Sequence, residues 1–188
     1  MSTITVLRPD ESTPPAATIT LAPRTELPER PTIGLISNGK PFAKELLGAL
    51  ATEFSLRLGR EVDIERLAKP SAAYVITPEE ADAMAARADI VICGLGDCGS
   101  CSSCSMHDAV LLEQRGTPAT VLITEPFQTV VAANAAKLGA PGYHNLTVPH
   151  PVWGKDEDGM RELARTVLSR AFAQLAPSPV ELSSAASR

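Results

Sequence analysis

The sequence predicts an α/β domain: an open, mainly parallel five-stranded sheet with helices on both faces. Three observations predict it. Short apolar, β-branched runs alternate five times with stretches whose apolar residues recur at helical spacing. Aromatic residues make up only 4% of the chain within a hydrophobic share of 44%, so Ala, Leu, Val and Ile must build the core, which suits helices packed on a sheet. At 188 residues the chain is long enough for one well-buried domain and short for two.

Residues 1–30 read as a mostly irregular arm, with prolines at 9, 14, 15, 23 and 28. Its two β-branched pieces, ITVL (4–7) and TITL (18–21), suit extended strips or edge strands. The domain proper spans 31–175. PTIGLIS (31–37) is the first strand, closed by the turn residues SNGKP. A helix over 42–58 follows, where Leu46, Leu47, Leu50, Phe54 and Leu58 repeat at helical spacing. EVDIERL (61–67) is the second strand. TPEEADAMAARA (77–88) opens a helix with Thr77 as N-cap, Pro78 at the first helical position and Glu80 completing a capping box. DIVICGLG (89–96) is a buried strand running into glycine. Apolar spacing puts the next helix over Met106–Arg115, stopped by Gly116, although the C-x-x-C upstream is also placed to open a helix. PATVLIT (118–124) is a fourth buried strand, followed by a helix over 126–139 that Gly139 ends. NLTVPHP (145–151) is a short fifth strand, and the last helix runs from Asp156 to Leu175. Residues 176–188 read as a disordered polar tail.

In such sheets ligands sit beyond the carboxyl ends of the strands, where strand order reverses. Ser37, Asn38, Gly39 and Lys40 follow the first strand, Asp97 through Cys104 the third, Thr124 and Glu125 the fourth, and His150 the fifth. A flavodoxin- or Rossmann-like order of 2-1-3-4-5 makes strands one and three neighbours, so SNGKP is expected beside DCGSC.

Charge and hydropathy narrow the function. The net charge of −5 and the absence of any Lys/Arg cluster argue against a nucleic-acid partner. No apolar run reaches membrane-spanning length, and the N-terminus lacks the pattern of a secretory leader, so no membrane partner is expected and the cytoplasm is the expected compartment. All four cysteines, 93, 98, 101 and 104, lie within twelve residues and cannot staple distant parts of the chain. In a reducing compartment that clustering points to metal, redox or nucleophilic chemistry.

Three readings of GDCGSCSSCSMHD stay open on the residues alone. Zinc would be held by Cys98, Cys101, Cys104 and His107, with His144, His150 or Asp108 as further donors, although structural zinc sites usually draw ligands from two separate elements. A redox pair would place Cys98 at a helix N-terminus, where unpaired N–H groups favour a thiolate, with Cys101 one turn on as resolving thiol. A nucleophile at Cys98 would use His107 as acid/base partner, oriented by Asp97 or Asp108. Gly94, Gly96 and Gly99 would clear space for a ligand. Ser37, Asn38, Lys40, Gly99, Ser100, Thr124 and His150 are the candidate substrate contacts. Lys40 or Lys69 would hold a thiolate or a substrate carboxylate, or else lie on the surface. Cys93 reads as a core residue. Trp153, the only tryptophan, is as ready to pack a loop as to line a pocket.

GDCGSCSSCSMHDAVLLEQRGTP resembles the UGSC family, named for a selenocysteine-Gly-Ser-Cys motif whose first position is cysteine in many members. VLRP, LAPR, IGLISNGKP, KPSA, ADIVICGLGDCGSC, RGTPATVLITEPF and VPHP match the family's blocks in order, over about residues 4–175. Cys104 departs from it, standing where an aromatic residue is expected. The resemblance implies that Cys98 occupies the selenocysteine position, which favours nucleophilic or redox work over structural zinc. The motif is also distantly similar to the selenoprotein subunits of glycine and proline reductases. The expectation is therefore a thiol-dependent enzyme, an oxidoreductase or thiol-transfer catalyst. Cys98 is its reactive centre, Cys101 resolves, and the substrate is small, with an anion among the candidates. The electron donor would be a thiol or a protein. No cofactor is expected, and zinc is the alternative. A binding module for metal or thiol ligands, a subunit of a larger reductase, and a homo-oligomer remain compatible with the sequence.

Overall fold

The computed structural model describes residues 17–177. The ITVL piece and the tail from 178 lie outside them. Five strands are described: β1 (Thr32–Ser37), β2 (Asp63–Ala68), β3 (Ile90–Gly96), β4 (Ala119–Thr124) and β5 (Leu146–Val148). Five α-helices alternate with them: α1 (Ala43–Leu58), α2 (Pro78–Ala85), α3 (Gly99–Glu113), α4 (Gln128–Lys137) and α5 (Glu157–Leu175). All strand pairs are parallel and the order is β2-β1-β3-β4-β5, the doubly wound arrangement expected. No helix among the described residues is long and apolar enough to cross a membrane.

Alternation along the strands divides the core in two. Leu35, Ile92, Leu122 and Leu146 face α1 and α5, where Phe54 stacks on Phe172 at 3.9 Å between ring centres. Ile36, Val91, Cys93, Val121 and Ile123 face α2, α3 and α4. Gly34 faces α2 so closely that a Cβ there would lie 2.6 Å from Met84 Sδ. The capping box of α2 forms as read, with Thr77 accepting from Glu80 N at 3.1 Å and Thr77 N donating to Glu80 at 2.8 Å.

α3 departs most from the periodicity reading. It begins at Gly99, seven residues before Met106, and ends at Glu113. Its inner face mixes polar with apolar side chains: Ser102, Ser105, Asp108 and Glu113 are buried along it beside Met106, Ala109 and Leu112. Ser102 and Ser103 also return their hydroxyls to the carbonyls four residues back, at 2.6 and 2.9 Å. A helix with so mixed an inner face has no 3.6-residue apolar stripe in its first two turns, so the pattern surfaces only at Met106.

Residues 17–30 contain neither helix nor strand but are tied down. Ile19 N donates to Gly139 O at 2.8 Å. Glu113, with no exposed side-chain surface, accepts from Ala22 N at 2.7 Å, from two Arg24 nitrogens at 2.7 and 2.9 Å, and from Ala119 N at 2.9 Å. That single carboxylate joins the arm, the end of α3 and the start of β4, at the edge of the sheet opposite the cysteine loop.

Candidate active site

The carboxyl ends of β1 and β3 meet as topology requires. Ser37 pairs in register with Gly94, and Asn38 N donates to Gly94 O at 2.8 Å. The β3–β4 ladder slips between Gly94 and Gly96, which takes the peptide groups of Leu95 out of the regular pairing. Buried unpaired backbone groups are costly. Asn38 satisfies both: its Nδ2 donates to Leu95 O at 2.7 Å, and its Oδ1 accepts from Leu95 N at 3.0 Å. The same Oδ1 accepts from Lys40 N at 3.2 Å, across a left-handed turn at Gly39 (φ +76°). Asn38 is fully buried and holds the two loops together with its whole amide.

Lys40 thereby reaches Asp97, with Nζ 3.1 Å from Oδ1. The next residue, Cys98, is the N-cap of α3 in extended conformation, and its Sγ accepts from Cys101 N at 3.2 Å. Cys98 N in turn donates to Cys101 Sγ at 2.9 Å, a capping box made of two cysteines. The two sulfurs are in contact, and the Cα atoms stand 5.4 Å apart, within the roughly 4.4–6.8 Å span of disulfides. Cys98 is half-buried, Cys101 is fully buried, and Gly99 and Ser100 are exposed beside them. Ser100 Oγ lies 3.6 Å from Cys98 Sγ, and Asp97 Oδ1 lies 3.7 Å from Cys101 Sγ.

The glycines divide differently from the expectation. Of Gly94, Gly96 and Gly99, only Gly99 faces open space. A Cβ on Gly96 would come within 2.8 Å of both Ile123 and Ser102, and one on Gly94 within 3.2 Å of Leu122 O, so these two serve close packing of α3 and β4.

α3 runs on from Gly99 and carries the remaining candidates away from Cys98. His107 lies about 12 Å from Gly99 along its axis and Asp108 about 13.5 Å. His107 is half-buried and makes no hydrogen bond among the described residues. Asp108 is completely buried and paired with Lys69, Nζ to Oδ2 at 2.5 Å, while Oδ1 accepts from Ile76 N at 3.0 Å. Lys69 is thus neither a surface residue nor a contact to the thiols. Burial pushes the Asp108 carboxyl up, against the downward pull of Lys69. Burial also raises the thiols of Cys93, well above the ordinary range, and of half-buried Cys104.

Among the described residues, one group of three or more His, Cys, Asp or Glu side chains has ligand atoms within 4.8 Å of one another: Asp97, Cys98 and Cys101. Cys104 and His107 stand outside it, so the four-ligand zinc set is not gathered. The histidine brought to the carboxyl edge is His150, whose Nδ1 lies 3.1 Å from Thr124 Oγ1; Thr124 in turn reaches Gly96 O at 3.4 Å. Phe127 packs edge-on to its ring at 6.1 Å. Glu125 and His144 are exposed, and so is Trp153, at 75%.

Comparison with known proteins adds the family. The model of the UGSC family matches residues 5–177. This chain belongs to the UGSC family. No curated protein sequence matches it. Similar solved structures include a diflavin flavoprotein A3 from Nostoc sp., 12% identical over 74% of this chain and 90% of that one, with a TM-score of 0.39. A flavodoxin-like domain from Synechococcus sp. is 12% identical over 74% of this chain and 99% of its own, with a TM-score of 0.33. The lactose-specific IIB component domain of a Streptococcus pneumoniae phosphotransferase system is 11% identical over 80% and 98%, with a TM-score of 0.31.

Proposed function

We propose that this UGSC family member is a dithiol enzyme in which Cys98 attacks a small substrate and Cys101 resolves the adduct. One observation carries the reading: Cys98 Sγ sits at the N-terminus of α3, accepting the Cys101 amide, with Cys101 Sγ against it. A helix N-terminus presents unpaired N–H groups and the positive end of the helix dipole, which favour a thiolate. Half-exposure lets that sulfur meet a substrate, while full burial keeps Cys101 from competing for it.

With a disulfide substrate the Cys98 thiolate bonds to one sulfur and expels the other as a thiolate. Cys101 then attacks Cys98 Sγ, releasing the second substrate thiol and leaving a Cys98–Cys101 disulfide. A thiol reductant, small or protein-borne, returns the pair to the dithiol. The exposed N–H end of α3 gives the site a preference for a small anionic substrate.

Mass spectrometry of the reduced protein mixed with small disulfides tests the reading. The parent loses two mass units as the internal disulfide closes. Cys101→Ser accumulates a mixed disulfide on Cys98, and Cys98→Ser stays unmodified at the motif. A Cys98→Ser protein that turned over small disulfides at the parent rate would overturn the assignment.

A further inference from the structure

The second step needs a proton acceptor, because Cys101 is fully buried and bulk water does not reach it. We propose that Asp97 is the base that takes the proton from Cys101 Sγ, and that Lys40 is the positioning residue that holds Asp97 there. The inference rests on the dithiol reading above and specifies which groups complete it.

Geometry selects Asp97. Its Oδ1 lies 3.7 Å from Cys101 Sγ, within range of a sulfur hydrogen bond. Cys98 O is nearer, at 3.2 Å, but a carbonyl cannot carry the proton away, and no other carboxylate or imidazole among the described residues makes such a contact. His107 is carried about 12 Å down α3, and Asp108 is closed off by Lys69 and the Ile76 amide. His150 has its Nδ1 on Thr124. Asp97 is also accessible enough to pass a proton onward, since a quarter of its side chain remains exposed.

Lys40 fixes the carboxylate. Its Nζ lies 3.1 Å from the same Oδ1 that faces Cys101. Its backbone is locked to the β3 end through Asn38, whose Oδ1 takes both Lys40 N and Leu95 N. The turn, the lysine and the thiol loop therefore form one linked unit. SNGK supplies the clamp, and DCGSC supplies the base and the two sulfurs.

In the resolving step the S–H proton of Cys101 moves to Asp97. Cys101 Sγ bonds to Cys98 Sγ, and the bond from Cys98 Sγ to the substrate sulfur breaks. The substrate thiolate leaves with that electron pair and takes a proton from Asp97 through solvent. The disulfide substrate is reduced by two electrons, and the cysteine pair is oxidised by two.

The test follows the two thiolate releases separately. Reduced Cys104→Ser protein, which removes the half-exposed third thiol, is mixed with the chromogenic aryl disulfide dithio-bis-nitrobenzoate in a stopped-flow instrument. The first release reports attack by Cys98 and the second reports attack by Cys101. Asp97→Asn in this background should leave the first release unchanged to within a few-fold. It should slow the second by about 10²-fold, the scale of general-base assistance, as a mixed disulfide builds up on Cys98. Lys40→Met should slow the second release about tenfold, and Lys40→Arg should restore it, as expected if the cation acts by holding Asp97. The first release in each variant also shows that the motif is folded. If Asp97→Asn makes its second release as fast as the parent, the base assignment is overturned while the dithiol reading stands. If the parent itself shows only one release, the dithiol reading fails, and this inference with it.

Discussion

Replacing Lys69 with Met would leave the Asp108 carboxylate buried without its cation. Both side chains are wholly inaccessible and lie 2.5 Å apart, and among the described residues the only other partner of Asp108 is the Ile76 amide at 3.0 Å. Breaking a buried ion pair from one side costs about 3–5 kcal/mol, because the remaining charge has lost its solvation without compensation. Methionine keeps most of the aliphatic stem, so the loss is chiefly electrostatic. At roughly 2–4 °C per kcal/mol for a domain of this size, the melting temperature should fall by about 6–20 °C. The double variant Lys69→Met/Asp108→Leu removes both charges and leaves only the Ile76 amide unpaired, at about 1–3 kcal/mol. It should therefore be more stable than the Lys69→Met single variant.

The pH dependence follows from burial, which sets the Asp108 carboxyl above its ordinary value. A carboxyl raised in the folded state contributes stability that is fully present below its unfolded value, about 3.9, and lost as pH rises through its folded value. Without Lys69 to oppose burial, that loss extends to higher pH. The deficit of Lys69→Met relative to the parent should therefore shrink as pH is lowered from about 7 to about 5. Thermal and urea unfolding followed by circular dichroism measure all of this. A single-variant cost below about 1 kcal/mol, or strictly additive effects in the double variant, would refute the account of the pair.

Two further predictions concern the frame of the site. Gly96→Ala should destabilise by about 1–3 kcal/mol, because its Cβ would press on Ser102 and Ile123, whereas Gly99→Ala, facing open space, should melt at or slightly above the parent temperature. Equal melting temperatures for the two would show that α3 does not pack on Gly96 as described. Glu113→Ala removes the acceptor shared by Ala22, Arg24 and Ala119, so it should cost about 3–5 kcal/mol and open the chain to trypsin at Arg24. A parent-like digestion pattern would contradict the clasp.

Much of the fold was legible because its elements are locally consistent. The strands at 31–37, 89–96 and 118–124 are buried apolar runs, and the helix at 77 carries its whole capping box in four residues. Gly116 and Gly139 both adopt φ +81° just beyond the helices they end. The seven-residue error at the start of α3 has a local cause as well. Cysteine, serine and glycine are weak helix formers, and the packing of Ser102 against Gly96 is visible only when β3 is in place.

The candidate site divides along the same line. The sequence by itself determined the alternating α/β order, the C-x-x-C at a strand-to-helix turn, and the expectation that SNGKP would lie beside DCGSC. These follow from periodicity, turn chemistry and spacing, which act over a few residues. Only the tertiary structure decided that Asn38 fills the gap at Leu95, that Lys40 meets Asp97, that Lys69 is buried against Asp108, and that Thr124 meets His150 while His107 is carried away down α3. Each of those pairings joins residues 26 to 57 positions apart. Burial and charge at such separations are set by how the strands align and where each helix axis points, and a chain read residue by residue carries neither.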